Sequence, residues 1–188
     1  MEEMVTVMMN NIDNQDVNNA IELLRKSEIQ SEKGLPENLF LLVSALVPLP
    51  NIDMLIVNEK GQILLTRRND EFFQKSWHIP GGCMRYGETM ENRIHETAKR
   101  ELGTDVSFDA EPIAIRDVIR GHNIQQKYKR ERGHNIAVLY RCYLPKGYQI
   151  NNGNKVETED GFIKWFDKLP DDFMKIQHVY DSVLERWI

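Results

Sequence analysis

The stretch that most constrains this chain runs from Gly81-Gly82-Cys83-Met84-Arg85-Tyr86-Gly87-Glu88 through Thr89 to Gly103. Met90, Ile94, Ala98 and Leu102 recur every fourth residue, which predicts a helix from Thr89 to Leu102 with one apolar stripe. Gly103 is a natural C-cap, since a helix ends most easily on a residue that accepts left-handed backbone angles. The glycines ahead of the helix let backbone carbonyls and amides approach a ligand or ion closely. Thr97 and Glu101 are four residues apart and share a face beside the stripe, so Glu101 can look back toward the glycines while the helix stays anchored. A hard oxygen donor opposite backbone oxygens suits Mg²⁺, which keeps several waters and bridges to substrate phosphates.

Around this segment, strands and helices follow one another without regular alternation. Ile52–Val57 reads as a strand, Glu59-Lys60-Gly61 as a turn and Ile63–Arg67 as the partner strand of a hairpin, with Asp53 inside the first strand. Further strands are expected at Ile113–Ile119, Ile136–Tyr143 and Phe162–Phe166, the last leading through Pro170 into a C-terminal helix ending at Trp187. The pattern fits an α+β fold, an α/β/α sandwich. Ahead of it, residues 1–36 read as an N-terminal helical arm. Residues 1 to about 12 lack a period and read as a mobile terminus. Val17, Ala20, Ile21 and Leu24 then mark an amphipathic helix that Gly34-Leu35-Pro36 breaks. A second helix follows through Phe40 and Val43. The arm serves either as a lid over the core or as the surface of a homodimer, and residues 37–188 form the main domain.

The 188 residues suit one domain with a peripheral extension, and a formal charge of −5 argues against general attraction to nucleic acid or anionic membrane. Any anionic ligand must therefore meet a local cluster of positive groups. The basic run Lys127, Lys129, Arg130 and Arg132 reads as a solvated loop, with phosphate contact as the alternative. Cys83 and Cys142 are too few for a disulfide framework and lack metal-finger spacing, which fits a reducing compartment. Glu2 and Glu3 do not open a secretory signal, and the apolar run Leu39–Val47 is far short of the roughly 20 residues that span a bilayer. A cytoplasmic location is expected.

With Gly82, Glu88, Glu101 and Gly103 in register, the segment resembles the Nudix box. There a glycine, five residues and a glutamate precede a helix that closes on glutamate, one residue and glycine. The resemblance implies the Nudix fold with a mixed sheet, and a Mg²⁺-dependent hydrolase, Mn²⁺ being an alternative ion, that grips the diphosphate of a nucleoside diphosphate derivative. Two of the usual helix carboxylates are absent, because the four box positions read Glu96, Thr97, Arg100 and Glu101. That departure resembles the GDP-mannose mannosyl hydrolase branch, in which water attacks the sugar carbon.

By that resemblance Gly81 and Glu101 hold the metal, Asp53 lies near the sugar as a catalytic residue, and Arg68 meets the diphosphate. Arg85 stands in for an arginine that the branch places where this chain has Cys83, and His134 matches a histidine of the branch that touches substrate. The branch also places a Gln-His pair before its last strand, as metal ligand and base. Alignment on Trp165 puts Glu159 and Asp160 there, Glu159 as a third metal ligand and both as catalytic candidates. No histidine lies between Asn135 and Gln177. A carboxylate with a pKa of about 4 is a weaker base at neutral pH unless burial raises it.

Glu96 and Arg100 are read as a solvent-facing ion pair, Glu88 and Glu91 as partners of the helix dipole, and Trp77 and Trp165 as core or pocket wall. Three functions stay open at this level: hydrolysis of a nucleotide sugar such as GDP-mannose at carbon, pyrophosphohydrolysis at phosphorus, and a non-catalytic nucleotide sensor.

Overall fold

A computed structural model describes residues 14–27, 29–70, 74–119 and 134–187. The chain divides into two compact units, Met1–Leu35 and Pro36–Ile188. The first contains helix α1 (Asn14–Lys26) and a single 3₁₀ turn at Ser31–Lys33. Residues 1–12 and the basic run from Lys127 to Arg132 lie outside the described residues.

The second unit opens with α2 (Glu37–Leu46) and β1 (Leu49–Ile56). From Ile52 to Ile56 every residue of β1 is buried, so the strand lies inside a sheet with both faces covered. It pairs in parallel with β7 (His134–Tyr143) and antiparallel with the short β4 (Gly81–Cys83). On its far side β7 takes β5 (Ser107–Phe108) and β6 (Ala114–Ile119), both antiparallel. The resulting five-stranded sheet is mixed. A separate three-stranded sheet runs β3 (Gln74–His78), β2 (Ile63–Asp70), β8 (Ile163–Phe166).

Side chains alternate across β1, and the two faces bury different partners. Ile52, Met54 and Ile56 pack with Ile94, Ala98 and Leu102 of α3 (Met90–Leu102), three members of the expected stripe, whereas the fourth, Met90, is exposed. Leu55, on the other face, packs with Ile63, Leu65 and Trp77 of the smaller sheet and with Phe173, Tyr180 and Leu184. The arrangement is α+β, as anticipated. Thr89 caps α3 by accepting from Asn92 N–H at 3.1 Å, and Gly103 ends it at φ 67°. Among the described residues no helix is long and apolar enough to cross a membrane.

Two expectations are corrected. Ile52–Val57 and Ile63–Arg67 do not form a hairpin: the turn exists, closed by a single bridge from Val57 to Ile63, but the strands part into different sheets. A run buried on both faces shows that a strand is central without showing its partners. The C-terminal helix is also broken. It comprises a 3₁₀ segment, Lys175–Tyr180, and a single turn, α4 (Asp181–Leu184). The tighter winding turns Gln177 and Tyr180 together into the buried interior.

Candidate active site at the glycine pair

Gly81 is Asp53's partner across β4 and β1. A Cβ on Gly81 would lie 2.1 Å from Asp53 Oδ1 and 2.9 Å from the Ile52 carbonyl oxygen, so only glycine lets the turn close onto β1. Asp53 itself is 3% exposed. Its Oδ1 accepts from Asn51 Nδ2 at 3.0 Å and Gln177 Nε2 at 3.2 Å, and its Oδ2 from the Tyr180 hydroxyl at 2.8 Å. Burial pushes the Asp53 carboxyl up to about 7, with the charge of Glu101 adding to the rise, and the three donors recover only part of it. Gln177 also locks the glycine turn, accepting from Ile79 N–H at 2.8 Å and donating to Ile79 O at 3.0 Å.

From the other side, α3 presents Glu101 and Arg100. Arg100 Nη2 donates to the Gly81 carbonyl at 3.1 Å and to Glu101 Oε1 at 2.6 Å. The ion pair expected between Glu96 and Arg100 is not formed; Glu96 lies 3.7 Å from Lys99, and Arg100 turns back to the glycines, where two oxygens receive it. Gly82 faces the same cluster: a Cβ there would sit 3.3 Å from Arg100 Nη2 and 3.6 Å from both Arg93 Nη1 and Thr97 Oγ1. Buried Arg93 is ion-paired with Glu88, which also accepts from Arg85 N–H at 2.9 Å. Burial raises Glu88, but the bonds from Arg93 and Arg85 outweigh it and hold its pKa below the usual value. The buried Thr97 hydroxyl has no hydrogen-bond partner.

Glu101 reaches a third element through Thr66 on β2, whose Oγ1 lies 3.2 Å from Glu101 Oε2 and 2.9 Å from His78 Nε2. Burial drives the His78 pKa down, while Glu101 opposes and Arg68 reinforces the fall. A neutral His78 must carry its proton on Nδ1, which faces Ile79 O at 2.9 Å, so Nε2 can only accept. Thr66 has one proton to give, and its bonds to His78 and to Glu101 therefore alternate while the ring is neutral.

The anticipated site residues are brought together in part. Gly81, Glu101 and Asp53 meet at the turn, and Arg68 and Asp160 act electrostatically on His78 beside them. Glu159 does not join Gly81 and Glu101: its carboxylate accepts from Val156 N–H at 2.9 Å within its own exposed loop. Asp160 accepts from Asn69 N–H at 3.1 Å, tying that loop to β2. Arg85 is exposed between β4 and α3, and His134 Nε2 lies 3.4 Å from Asp117 at the start of β7. Among the described residues no three His, Cys, Asp or Glu side chains gather as a metal cluster. The expected metal ligands thus reduce to one carboxylate and one carbonyl. Sequence reasoning missed His78, Thr66, Gln177 and Tyr180; the three-residue spacing of the last two was the available signal for a shared inward face.

Residues 47–177 match the family profile of the NUDIX domain. The low-salt glycan biosynthesis protein Agl8 of Haloferax volcanii is 32% identical over 76 residues, 40% of this chain and 48% of that protein. An RNA pyrophosphohydrolase of Marinomonas sp. is 34% identical over 90 residues, 48% of this chain and 52% of that one. The chain thus spans about half the length of these relatives. In structure it is similar to a MutT NUDIX hydrolase from Burkholderia pseudomallei, with a TM-score of 0.53 and 20% identity over 76% of this chain and 98% of that one, a likeness of fold. The profile match covers more than half of the sequence and contains the glycine turn, α3 and Gln177, so the chain belongs to the NUDIX family.

Proposed function

We propose that this chain hydrolyses a nucleoside diphosphate derivative, a nucleotide sugar such as GDP-mannose, with water attacking the sugar carbon. The observation that carries this reading is the convergence of Gly81 O and Glu101 Oε1 on one positive nitrogen, with no further carboxylate beside Glu101 on its helix face. Two hard oxygens around a cationic centre fit Mg²⁺, or Mn²⁺ in its place, once Arg100 withdraws. When bound, the ion would neutralise the nucleoside diphosphate as it departs.

Arg68 is assigned to the diphosphate, where a guanidinium supplies paired charge-assisted hydrogen bonds. Arg85 and His134 are assigned to the rest of the substrate. Proton transfer is assigned to Asp53, because a carboxyl near 7 is matched to neutral pH. Its burial has a consequence: exchange of that proton requires Asn51, Gln177 or Tyr180 to give way. Asp160 and Glu159 in the loop before β8 are the alternative bases. In the same reading residues 1–36 are a helical arm, a lid or a homodimer surface, and residues 37–188 are the catalytic domain of a cytoplasmic enzyme.

Attack at phosphorus is the second reading, favoured by the name of the RNA pyrophosphohydrolase relatives, whereas the glycan biosynthesis relative favours a sugar substrate. Incubation with Mg²⁺ and a panel of nucleotide sugars, dinucleotides and nucleoside triphosphates in ¹⁸O water separates them. Label in the free sugar is the expected outcome. Label in a phosphate product rejects carbon attack, and no turnover of any member leaves a nucleotide sensor.

A further inference from the structure

We propose that Arg100 is a resident counter-ion of the metal seat, competing with the divalent ion for Gly81 O and Glu101 and released toward the substrate's phosphates when the ion enters. The inference rests on the reading that this oxygen pair is the metal seat. Its geometric basis is that one nitrogen, Arg100 Nη2, serves both oxygens, at 3.1 Å and 2.6 Å. A metal and this guanidinium cannot occupy the same space. Arg100 is also free to leave: its side chain is 47% exposed, whereas that of Glu101 is 16% exposed and further anchored through Thr66. The carboxylate is thus the fixed member and the guanidinium the movable one.

The neighbourhood explains why such a counter-ion is useful. Glu101 is a largely covered carboxylate, which needs a positive partner. Arg100 offsets that negative charge without a metal. A guanidinium displaced from the seat still starts beside Gly82, 3.3 Å from where a Cβ would lie, on the glycine turn that faces the ligand. There it can bind phosphate oxygens bidentately through its paired N–H donors. Metal and diphosphate therefore bind together better than either binds alone, because the diphosphate recovers the charge partner that Arg100 loses.

The test is a calorimetric Mn²⁺ titration of the full chain, with and without GDP. Wild-type protein is expected to bind Mn²⁺ weakly alone and more tightly with GDP. In Arg100→Gln, Mn²⁺ alone should bind about tenfold more tightly, the scale of one charge-assisted hydrogen bond removed from competition. The tightening by GDP should shrink correspondingly. Lys99→Gln removes the same charge one residue away, outside the seat, and should leave affinity within about twofold, since exposed charges are screened. Glu101→Gln introduced into Arg100→Gln should abolish the gain, which locates the ion. Arg100→Lys, which retains the charge on a shorter, single-point donor, should fall between wild type and Arg100→Gln. Equal Mn²⁺ affinity in wild type and Arg100→Gln, still lost with Glu101→Gln, overturns the competition while leaving the metal seat intact. No Mn²⁺ binding by either protein, with or without GDP, overturns both.

Discussion

Asp53 and Glu101 meet the same glycine turn, one from β1 and the other from α3, and the protein handles their charges by opposite means. Asp53 is sealed among neutral donors, an amide from Asn51, an amide from Gln177 and the Tyr180 hydroxyl, and burial carries its pKa to about 7. Glu101 faces a guanidinium and a hydroxyl and keeps a solvent-facing edge. Neutral donors stabilise a carboxylate far less than a cation does in a buried setting. The contrast shows on which side positive charge is admitted. The guanidinium of Arg100 sits with α3, whereas Asp53 on β1 meets neutral donors.

The comparison breaks most sharply at Glu101. Glu101→Gln keeps shape and helix propensity while removing the charge, so a folded protein is expected with Mg²⁺ binding at least about tenfold weaker and turnover down about a hundredfold. Calorimetry and steady-state rates on the same preparation check it, and unchanged Mg²⁺ affinity would move the metal elsewhere.

Asp53 gives the next largest effect. A folded pKa of about 7 against an unfolded value of 3.8 means that the folded state holds the proton more tightly. The associated stability is fully present below about pH 4 and is lost as pH rises through 7. Between pH 5 and 8, in EDTA, wild type should lose about 2 to 3 kcal/mol from this group by linkage, and Asp53→Asn should lack that portion of the pH dependence. Urea unfolding at the two pH values measures it. Parallel profiles for both proteins would show that the donors, not burial, govern Asp53.

Arg68→Ala sharpens the α3 side by asking whether its positive field extends to β2. Binding of GDP in the presence of Mg²⁺ should weaken by about 2 kcal/mol, the worth of one charge-assisted hydrogen bond. An unchanged dissociation constant in a folded variant would put the diphosphate away from β2. The smallest effect is expected at Thr97, whose buried hydroxyl is unpartnered beside Gly82. Thr97→Val keeps the shape and removes an unsatisfied group, so stability should stay level or rise by no more than about 1 kcal/mol. A marked loss, read as a fall in Tm, would show that the hydroxyl is bonded after all.

Helix α3 was legible because its information is local: stripe, N-terminal threonine and terminal glycine all lie within one segment. The approach of Glu101 to the glycine turn was legible for the same reason. The partners of β1 were not, because Met54, Leu55 and Ile56 are buried on both faces and a continuous apolar run carries no alternation from which to read a neighbour. Arg100 was misread because helical spacing places it equally well for Glu96, and only the fold brings the Gly81 carbonyl within reach. Glu159 was drawn toward the metal by alignment alone, and its loop uses the carboxylate to bond its own backbone. Gln177 and Tyr180 escaped notice because their partner lies in a distant strand.

That distance has a consequence for how the protein comes into being. Asp53 is joined to Gln177 across 124 residues and to Tyr180 across 127. A ribosome emits Asp53, the glycine turn and α3 long before either partner exists. Until then the aspartate can remain hydrated only if β1 stays partly open, because burial without those donors would strand a polar group. The surroundings of Asp53 are therefore finished late in synthesis, when the segment that follows β8 emerges and docks. Contacts so far apart along the chain also slow folding. A nascent chain halted short of Gln177 carries the glycine turn and α3 but not the two distant donors to Asp53.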